Sequence, residues 1–410
     1  MSDDADKKIP VTLLTGFLGS GKTTLLQYIL TANHGYKIAV CMNDFGDSTD
    51  IESTAMSFSA EQEKEAQTSF LSLPNGCLCC SILEPGITAI ENMVAERPDG
   101  DKVDWVVVEL TGVADPGELA GVCLYEESVG VKAHMIAAEI ARSFWTNEEM
   151  GGKLRLDGVV CVVDSKNIMQ QLEEDEKEES GNECSRQIAA SDVILLNKTD
   201  LVQDESTFSE IEDRIAEINP TSLFKRTQRS AVDLGNIFNI GGYSAATPEE
   251  GKAKAKLPAS LQAIQKRQED GHGHDHDHGH DKASKKHLNG ISSYVFDLPV
   301  LSDTQLQGVE SFLQSLHWEN RIEGVDNTDV SDGSSEEKKL VVLRSKGLFI
   351  TTEGTVHILQ GVRDIYELNE LDAKADELEE SHTGSKLVVI GRNLGERSLW
   401  LEGLQKTCSL

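Results

Sequence analysis

The segment 16–23 limits the possible fold more than any other part of the chain. It reads Gly-Phe-Leu-Gly-Ser-Gly-Lys-Thr and fits the pattern G-x-x-x-x-G-K-[ST]. An apolar run at 11–15 precedes it, and apolar residues recur at helical spacing after it. Glycines let successive backbone N–H groups turn toward phosphate oxygens, and the N-terminus of a following helix adds its positive dipole end. The segment therefore predicts a strand, a phosphate-binding loop and a helix, in that order.

Two side chains of this loop carry the expected chemistry. We expect Lys22 to reach the β- and γ-phosphates of a nucleotide, where it neutralises charge during phosphoryl transfer, and the Thr23 hydroxyl to ligate Mg²⁺. The predicted nucleotide-binding residues of the loop are Gly16, Phe17, Leu18, Gly19, Ser20, Gly21, Lys22, Thr23 and Thr24.

Apolar runs that suit buried strands recur through the first half of the chain. After 11–15 they occupy 38–42, 103–109, 158–164 and 192–196. Helical patterns separate them, and nearly continuous apolar strands are typical of a parallel sheet that is covered on both faces. We therefore expect an α/β fold over 10–244, with a doubly wound, mostly parallel sheet of the P-loop NTPase type. An acidic tail at 1–9 precedes it.

The composition changes at 245–289, where Pro, Lys, Ala and Gln are followed by alternating His and Asp. We interpret this stretch as a flexible His-rich linker. Regular patterns return at 290–410 and predict a smaller α+β domain. Its predicted elements are a helix at 303–316, strands at 291–298, 340–343, 347–351, 355–360 and 386–391, and a mobile loop at 325–338.

The sequence Asn197-Lys198-Thr199-Asp200 follows the last apolar run of the first domain. The pattern N-K-x-D is typical of the guanine-reading sites of GTPases. Guanine presents N1–H and an N2 amino group on one edge, and the Asp200 carboxylate can accept from both. Adenine has an acceptor at N1, and sites of this kind can discriminate by roughly 10⁴–10⁵-fold. All four residues are therefore predicted to bind nucleotide; a polar helix cap is the alternative interpretation.

Carboxylates follow two other predicted strands. Glu109 closes the run at 103–109, and we expect it to hold Mg²⁺ through water or to orient the attacking water, while Gly112 senses the γ-phosphate. Asp44 and Asp47 follow the run at 38–42 and suit a switch segment or a metal relay. Capping of a turn is the alternative interpretation in both places.

Three cysteines lie within four residues, at Cys77, Cys79 and Cys80. Thiolates select Zn, Cu(I) or iron–sulfur centres, and three ligands leave a fourth position open for metal transfer. A disulfide between the adjacent Cys79 and Cys80 would be strained. We therefore predict a metal site here; three small buried packing residues are the alternative interpretation. The remaining cysteines, expected to pack as small hydrophobic residues, are Cys41, Cys123, Cys161, Cys184 and Cys408.

Alternating His and Asp residues fill most of 271–280. Their imidazoles can chelate Zn, Ni or Co loosely and exchange the ion quickly, and a solvated spacer is an equally good interpretation. The auxiliary metal candidates of this tract are His272, His274, His276, His278 and His280.

The formal charge is −32, with 70 Asp and Glu against 38 Lys and Arg. Such a surface repels phosphate backbones and anionic lipids, which argues against nucleic acid and membranes as partners. The sequence shows no signal or transit peptide and no apolar span of membrane length. Clustered cysteines suit a reducing compartment, so we expect a cytoplasmic location, with the nucleus as a second compartment.

Together these segments resemble the CobW-like metallochaperone GTPases, in particular their eukaryotic branch, the zinc-regulated GTPase metalloprotein activators. The resemblance covers nearly the whole chain and implies a C-terminal domain of the CobW type. The segments that carry it are 11–26, 43–47, 77–80, 109–116, 163–166, 197–201, 361–366 and 390–394.

The resemblance implies GTP hydrolysis coupled to zinc transfer, with the three clustered cysteines as zinc ligands. It also implies that residues from Cys80 to Glu84 lie against the nucleotide, which would couple the metal and GTP sites. Two departures from the family stand out. Its usual Glu-Thr-Thr-Gly is Glu-Leu-Thr-Gly at 109–112, and the Cys-Pro-containing tail that docks on a type 1 methionine aminopeptidase has no counterpart at 1–9.

We therefore expect a GTPase that requires GTP and Mg²⁺ and delivers Zn²⁺ to a client metalloprotein. Because no arginine finger is evident, we expect slow intrinsic turnover that metal or client stimulates. Three alternatives stay open: a GTPase that handles cobalt or nickel, a metal-buffering protein, and a P-loop kinase, which the N-K-x-D motif disfavours.

Overall fold

The computed structural model describes residues 8–32, 35–41, 68–71, 83–95, 97, 102–110, 136–149, 152–175, 183–202, 204–243, 257–269, 290–325, 340–378 and 383–410. These residues form two compact units that interleave along the chain. The first contains the described residues up to Gln171, with Ser191–Phe208 and Phe224–Ile240. The second contains Leu172–Ala190, Ser209–Leu223 and the described residues of Gly241–Leu410. The domain bounds proposed from the sequence stay a prediction.

A seven-stranded sheet in the order β3-β2-β4-β1-β5-β6-β7 is the frame of the first unit. Its strands are β1 Ile9–Gly16, β2 Ile38–Cys41, β3 Thr68–Leu71, β4 Trp105–Glu109, β5 Leu154–Asp164, β6 Val193–Asn197 and β7 Leu223–Arg226. From β3 to β6 every neighbouring pair is parallel. This confirms the expected α/β fold with a mostly parallel sheet. Strand β1 lies between β4 and β5, so its carboxyl end is a topological switch point, where such sheets bind ligands.

The described helices that alternate with these strands are α1 Lys22–Thr31, α2 Leu83–Ala95, α3 Ile136–Glu149, α4 Ile168–Asp175, α5 Glu183–Ala190 and α6 Glu205–Ile218. The predicted helix after the phosphate loop is α1. Its buried apolar residues are Leu25, Leu26, Ile29 and Leu30, which share one face because adjacent pairs recur at a spacing of four residues.

A five-stranded antiparallel sheet in the order β11-β10-β9-β12-β8 belongs to the second unit. Its strands are β8 Ile291–Leu298, β9 Val341–Ile350, β10 Thr355–Val362, β11 Ile365–Lys374 and β12 Ser385–Arg392. From residue 257 onward the described helices are α7 Ala259–Glu269, α8 Asp303–Glu319 and α9 Arg397–Cys408, and α5 belongs to the same unit. The expected α+β domain is therefore confirmed, and its five strands form one antiparallel sheet.

Helices α8 and α9 cover one face of this sheet. Phe296, Phe312 and Trp400 lie in the same buried cluster, in which the Phe296 and Trp400 rings stack with centroids 6.1 Å apart. A capping box starts α8, because Ser302 accepts from the Gln305 backbone and the Gln305 side chain accepts from the Ser302 backbone. The helix packing thus rests on aromatic burial and a well-capped helix start.

The predicted strands at 340–343 and 347–351 are one strand, β9. The prediction separated them because Arg344 and Lys346 interrupt the apolar pattern, but both side chains are buried. Arg344 donates to Ala190 O over 2.8 Å, and Lys346 donates to Ser260 Oγ over 2.9 Å. These hydrogen bonds offset the cost of burying the two polar groups. The polar residues therefore do not mark a break between two strands.

The predicted linker at 245–289 contains a helix among its described residues, α7. Leu257, Leu261 and Ile264 are buried, which explains why this part is ordered despite its polar composition. Strand β11 and helix α9 were not predicted. Strand β11 is half-exposed and mixes apolar with acidic and other polar residues, so it lacks the apolar run that marked the other strands.

Candidate functional site

The phosphate loop begins where β1 ends, at the switch point of the first sheet. Gly16 has a φ of 146° and Gly21 a φ of 113°, values that other residues rarely adopt. A Cβ at Gly16 would overlap Val162 O, and a Cβ at Gly21 would overlap Asn197 Nδ2. Both glycines are therefore required by backbone conformation and by the close approach of neighbouring groups.

Lys22 is buried and folds back over the loop. Its Nζ donates to Gly16 O over 2.6 Å and to Phe17 O over 3.2 Å. The ammonium is therefore held inside the phosphate loop, where it can exchange carbonyl partners for phosphate oxygens.

Ser20 supplies a second sign of a ligand site in the loop. Its side chain is fully buried, and its Oγ has no hydrogen-bond partner among the described residues. Buried hydroxyl groups nearly always have a partner, so an orphaned one deserves a cause. A phosphate oxygen at the loop would accept the Ser20 hydroxyl hydrogen, and the loop therefore fits a nucleotide.

Asn197 joins the phosphate loop to the N-K-x-D segment. Its Nδ2 donates to Ser20 O over 2.9 Å. Its Oδ1 accepts from Thr227 Oγ1 over 3.1 Å and from Ser230 N over 2.8 Å. Since Ser230 Oγ also donates to Gly21 O over 3.0 Å, three chain segments meet at this one amide.

The turn after β7 is a part of the site that sequence reasoning missed. Gln228 and Ala231 form an isolated antiparallel bridge, and between them Arg229 and Ser230 have φ values of 48° and 56°. Two consecutive left-handed residues that are not glycine are strained, and such strain concentrates at functional sites. No motif or glycine marks this turn in the sequence, so only the contacts of Ser230 could identify it.

The other members of the N-K-x-D segment lie around Asn197. Lys198 has a φ of 61° and its Nζ lies 2.7 Å from Asp164 Oδ2, at the end of β5. Thr199 donates to Thr227 O from its backbone over 3.2 Å and from its hydroxyl over 3.1 Å. Asp200 is exposed, so its carboxylate is accessible to a base.

The residues expected around a magnesium ion include Thr23 and Glu109. Thr23 is the second residue of α1 and is half-buried. Glu109 is buried at the end of β4, where it pairs in register with Leu14 of β1. A hydroxyl and a carboxylate are the oxygen donors that Mg²⁺ prefers, so this donor set fits the ion. Thr24 is exposed on the first turn of the helix.

Several predicted site residues lie outside the described residues. They are Asp44, Asp47, Cys77, Cys79, Cys80, Gly112, His272, His274, His276, His278, His280 and the side chain of Glu84. Within the described ranges no group of three or more His, Cys, Asp or Glu is placed to hold a metal ion. Across the same ranges, no helix combines the length and apolarity needed to cross a membrane.

Four cysteines predicted to be packing residues are described, and all four are buried free thiols: Cys41, Cys161, Cys184 and Cys408. Burial raises the pKa of the Cys41 thiol to about 12, and it raises the pKa of the Cys161 thiol to about 12 as well. Both thiols therefore stay protonated at neutral pH and are poor metal ligands. Cys123 lies outside the described residues.

Comparison with known proteins gives a consistent result along the chain. The nucleotide-binding domain of the CobW/HypB/UreG family matches residues 10–137 and 127–225. The C-terminal domain of the cobalamin synthesis protein cobW matches residues 325–406.

Two relatives match this chain over most of its length and over most of their own length. The zinc-regulated GTPase metalloprotein activator 1 of Schizosaccharomyces pombe is 31% identical over 405 residues, which cover 97% of this chain and 85% of that protein. The protein of the same name from Saccharomyces cerevisiae is 29% identical over 422 residues, which cover 98% and 84%.

The fold is also similar to that of a solved structure. It is the crystal structure of the Zn(II)-bound YjiA GTPase from E. coli, with a TM-score of 0.56 and 24% sequence identity. The match covers 96% of this chain and 98% of that chain.

Proposed function

The chain belongs to the CobW/HypB/UreG family, and on that premise we propose that it binds and hydrolyses GTP and uses this cycle to deliver zinc to a client metalloprotein. The observation that carries the GTPase part is the Asn197 amide, which links the phosphate loop to the N-K-x-D segment within hydrogen-bond distance. The two halves of a GTP site are thereby brought together in one network.

In this proposal Asp200 selects guanine over adenine. Its exposed carboxylate can accept from the N1–H and the N2 amino group of guanine at once. An adenine base would present an acceptor to the same carboxylate and leave it unpaired. Asn197 holds the segment against the loop, and Thr199 ties it to the turn after β7.

Phosphoryl transfer depends on charge neutralisation at the loop. Lys22 leaves its carbonyl partners for phosphate oxygens, and Ser20 Oγ gains the acceptor that it lacks. Thr23 and Glu109 would hold Mg²⁺, which neutralises phosphate charge when bound. Among the described residues we identify no arginine finger, so we propose slow intrinsic hydrolysis that metal or client accelerates.

Zinc is the cargo in this proposal. Three thiolates at Cys77, Cys79 and Cys80 would supply three of the four ligands of a tetrahedral site, which would suit transfer because a client ligand could enter the fourth position. The two fungal relatives are named zinc-regulated GTPase metalloprotein activators, which supports zinc as the metal. We propose a cytoplasmic client metalloprotein as the receiver.

Asp200→Asn tests the base assignment. Asparagine offers one acceptor and one donor, which match the N1–H and the C2 carbonyl of xanthine instead of the two donors of guanine. We expect GTP binding to weaken at least roughly tenfold, in line with loss of charge-assisted hydrogen bonds, and XTP binding to strengthen. Nucleotide titration measures both. If both affinities are unchanged, this segment does not read the base.

A further inference from the structure

Asp164 is a buried carboxylate at the end of β5, with 4% of its surface exposed. A buried carboxylate needs partners that replace water. Its Oδ2 accepts from Lys198 Nζ over 2.7 Å and from Asn167 Nδ2 over 2.8 Å. Its Oδ1 accepts from Lys166 N over 3.0 Å. One carboxylate therefore connects the end of β5, the turn that follows it and the N-K-x-D segment.

The lysine at the other end of this ion pair is held in an unusual conformation. The φ of 61° at Lys198 is left-handed, which costs an L-residue roughly 1–2 kcal/mol. Surrounding contacts have to offset that strain. The register of the sheet supplies one of them, because Asp164 lies directly beside Asn197 in the parallel pair of β5 and β6.

This geometry leads the Lys198 side chain sideways, from the end of β6 to the end of β5. Its ammonium is fixed there, and the Lys198 side chain as a whole is about one-third exposed. Its alkyl stem starts from the chain between Asn197, which contacts the phosphate loop, and Asp200, the predicted base reader. A stem that is fixed at both ends offers a firm apolar surface to a ring placed over it.

We propose that Asp164 is a positioning residue for nucleotide binding, which fixes the Lys198 stem as the surface on which the purine ring rests. The inference rests on the proposed function, since it assigns a role within the same GTP site. An anchored stem loses little conformational freedom when the base arrives, whereas a free lysine would have to be ordered at that moment. Asp164 thus acts through Lys198 and does not touch the nucleotide.

The test uses Asp164→Asn in the full chain. Asparagine keeps the size of the side chain and an acceptor for Lys166 N, but removes the charge that holds the ammonium. We expect the Kd for GDP and the KM for GTP to rise roughly tenfold, while kcat at saturating GTP stays unchanged. Asn167→Ala is the matched control, because it removes the other Oδ2 partner and leaves the ion pair intact.

A double-mutant cycle separates positioning from general support of the β5 turn. Lys198→Met keeps an apolar stem and removes the ammonium, so by itself it should weaken GDP binding about as much as Asp164→Asn. In the Lys198→Met background, Asp164→Asn should add less than roughly twofold. Additive losses, or a loss in Asn167→Ala as large as in Asp164→Asn, would show that Asp164 supports only the local fold and would overturn the inference.

The outcomes also separate this inference from the proposed function. If the unmodified protein fails to bind GTP or GDP, the proposed function falls. If it binds and Asp164→Asn binds equally well, the proposed function stands and the positioning role falls. If Asp164→Asn does not fold, Lys198→Met decides, because unchanged GDP affinity in that variant contradicts the role.

Discussion

Asn197 Nδ2 donates a hydrogen bond to the backbone carbonyl of Ser20 across 2.9 Å, although 177 positions separate the two residues in the chain. The contact is possible because β1 and β6 flank β5 in one parallel sheet, so that their carboxyl ends lie at the same edge. The position of the N-K-x-D segment therefore depends on the conformation of the phosphate loop.

Removing this amide should damage both stability and nucleotide binding. Asn197→Ala leaves Ser20 O, Ser230 N and the Thr227 hydroxyl without their buried partner. We expect a loss of about 1–3 kcal/mol in the free energy of unfolding and GDP binding weakened at least roughly tenfold. Chemical denaturation and nucleotide titration measure the two effects.

Asn219→Ala is the matched control for that experiment. Asn219 is also fully buried and bonds to Ile188 O and Thr221, but it lies in the second unit. We expect it to lower stability by a similar amount and to leave the Kd for GDP within roughly twofold. A loss of GDP affinity equal to that of Asn197→Ala would mean that reduced stability, not the bridging amide, weakens binding.

Substitutions at two glycines of the phosphate loop distinguish the effect of backbone strain from the effect of steric overlap. Gly19 and Gly21 both have positive φ, 75° and 113°. A Cβ at Gly19 meets no heavy atom within 4 Å, whereas a Cβ at Gly21 overlaps the Asn197 amide. We expect Gly19→Ala to lower stability by roughly 1–2 kcal/mol, and Gly21→Ala to lower it further and to abolish measurable GTP binding. Thermal unfolding and nucleotide titration test this order, and equal effects would contradict it.

His317 should make stability depend on pH in the mildly acidic range. Its Nδ1 donates to Arg363 O over 2.5 Å and its Nε2 accepts from Ser345 Oγ over 2.9 Å, so the neutral ring is fully bonded. Burial lowers the pKa of His317 below the ordinary 6.5, against the opposing effects of the Arg363 carbonyl and Asp364. As pH falls, His317 therefore becomes protonated near pH 6.5 in the unfolded chain and only at a lower pH in the folded chain.

The sign of the pH effect follows from this order of protonation. The stability that neutral His317 contributes is complete above pH 6.5 and is lost as pH falls from there toward the lowered folded pKa. His317→Gln removes the titrating group and should reduce the slope of unfolding free energy against pH by up to about 1.4 kcal/mol per pH unit. Urea unfolding between pH 7.5 and 5, spanning roughly the His titration range, measures the slope. An unchanged slope in the variant would assign the effect to other groups.

The sequence predicted most of the first sheet because its strands are buried on both faces and read as apolar runs. Strands β3 and β7 were not predicted, and the residues of β7 are only half-buried or exposed, so they form no buried apolar run. The apolar run of β5 was seen from 158, yet the strand begins at Leu154. Arg155 and the buried Asp157 interrupt the pattern there, and Asp157 accepts from Ile240 N, a partner far along the chain.

The candidate site was predictable only where a local pattern encodes it. The phosphate loop and the N-K-x-D segment are short motifs, and the residues of each motif are close together in the sequence. Ser230 and Asp164 are different, because each contacts a partner in another segment of the chain, Asn197 and Lys198 respectively, and the fold brings those segments together. Such contacts depend on the fold, and they produce no residue spacing that could be recognised in the sequence.

We propose that one zinc site is coupled to the GTP cycle. The most direct test of this coupling is zinc titration against a competing chelator, with and without a non-hydrolysable GTP analogue, on the unmodified protein and on Cys79→Ser. Cys408→Ala, which changes a buried thiol in the second unit, is the control. We predict a single tight site whose affinity shifts with nucleotide, which Cys79→Ser loses and Cys408→Ala retains. Weak binding of several ions that ignores nucleotide and survives Cys79→Ser would contradict zinc delivery as the function.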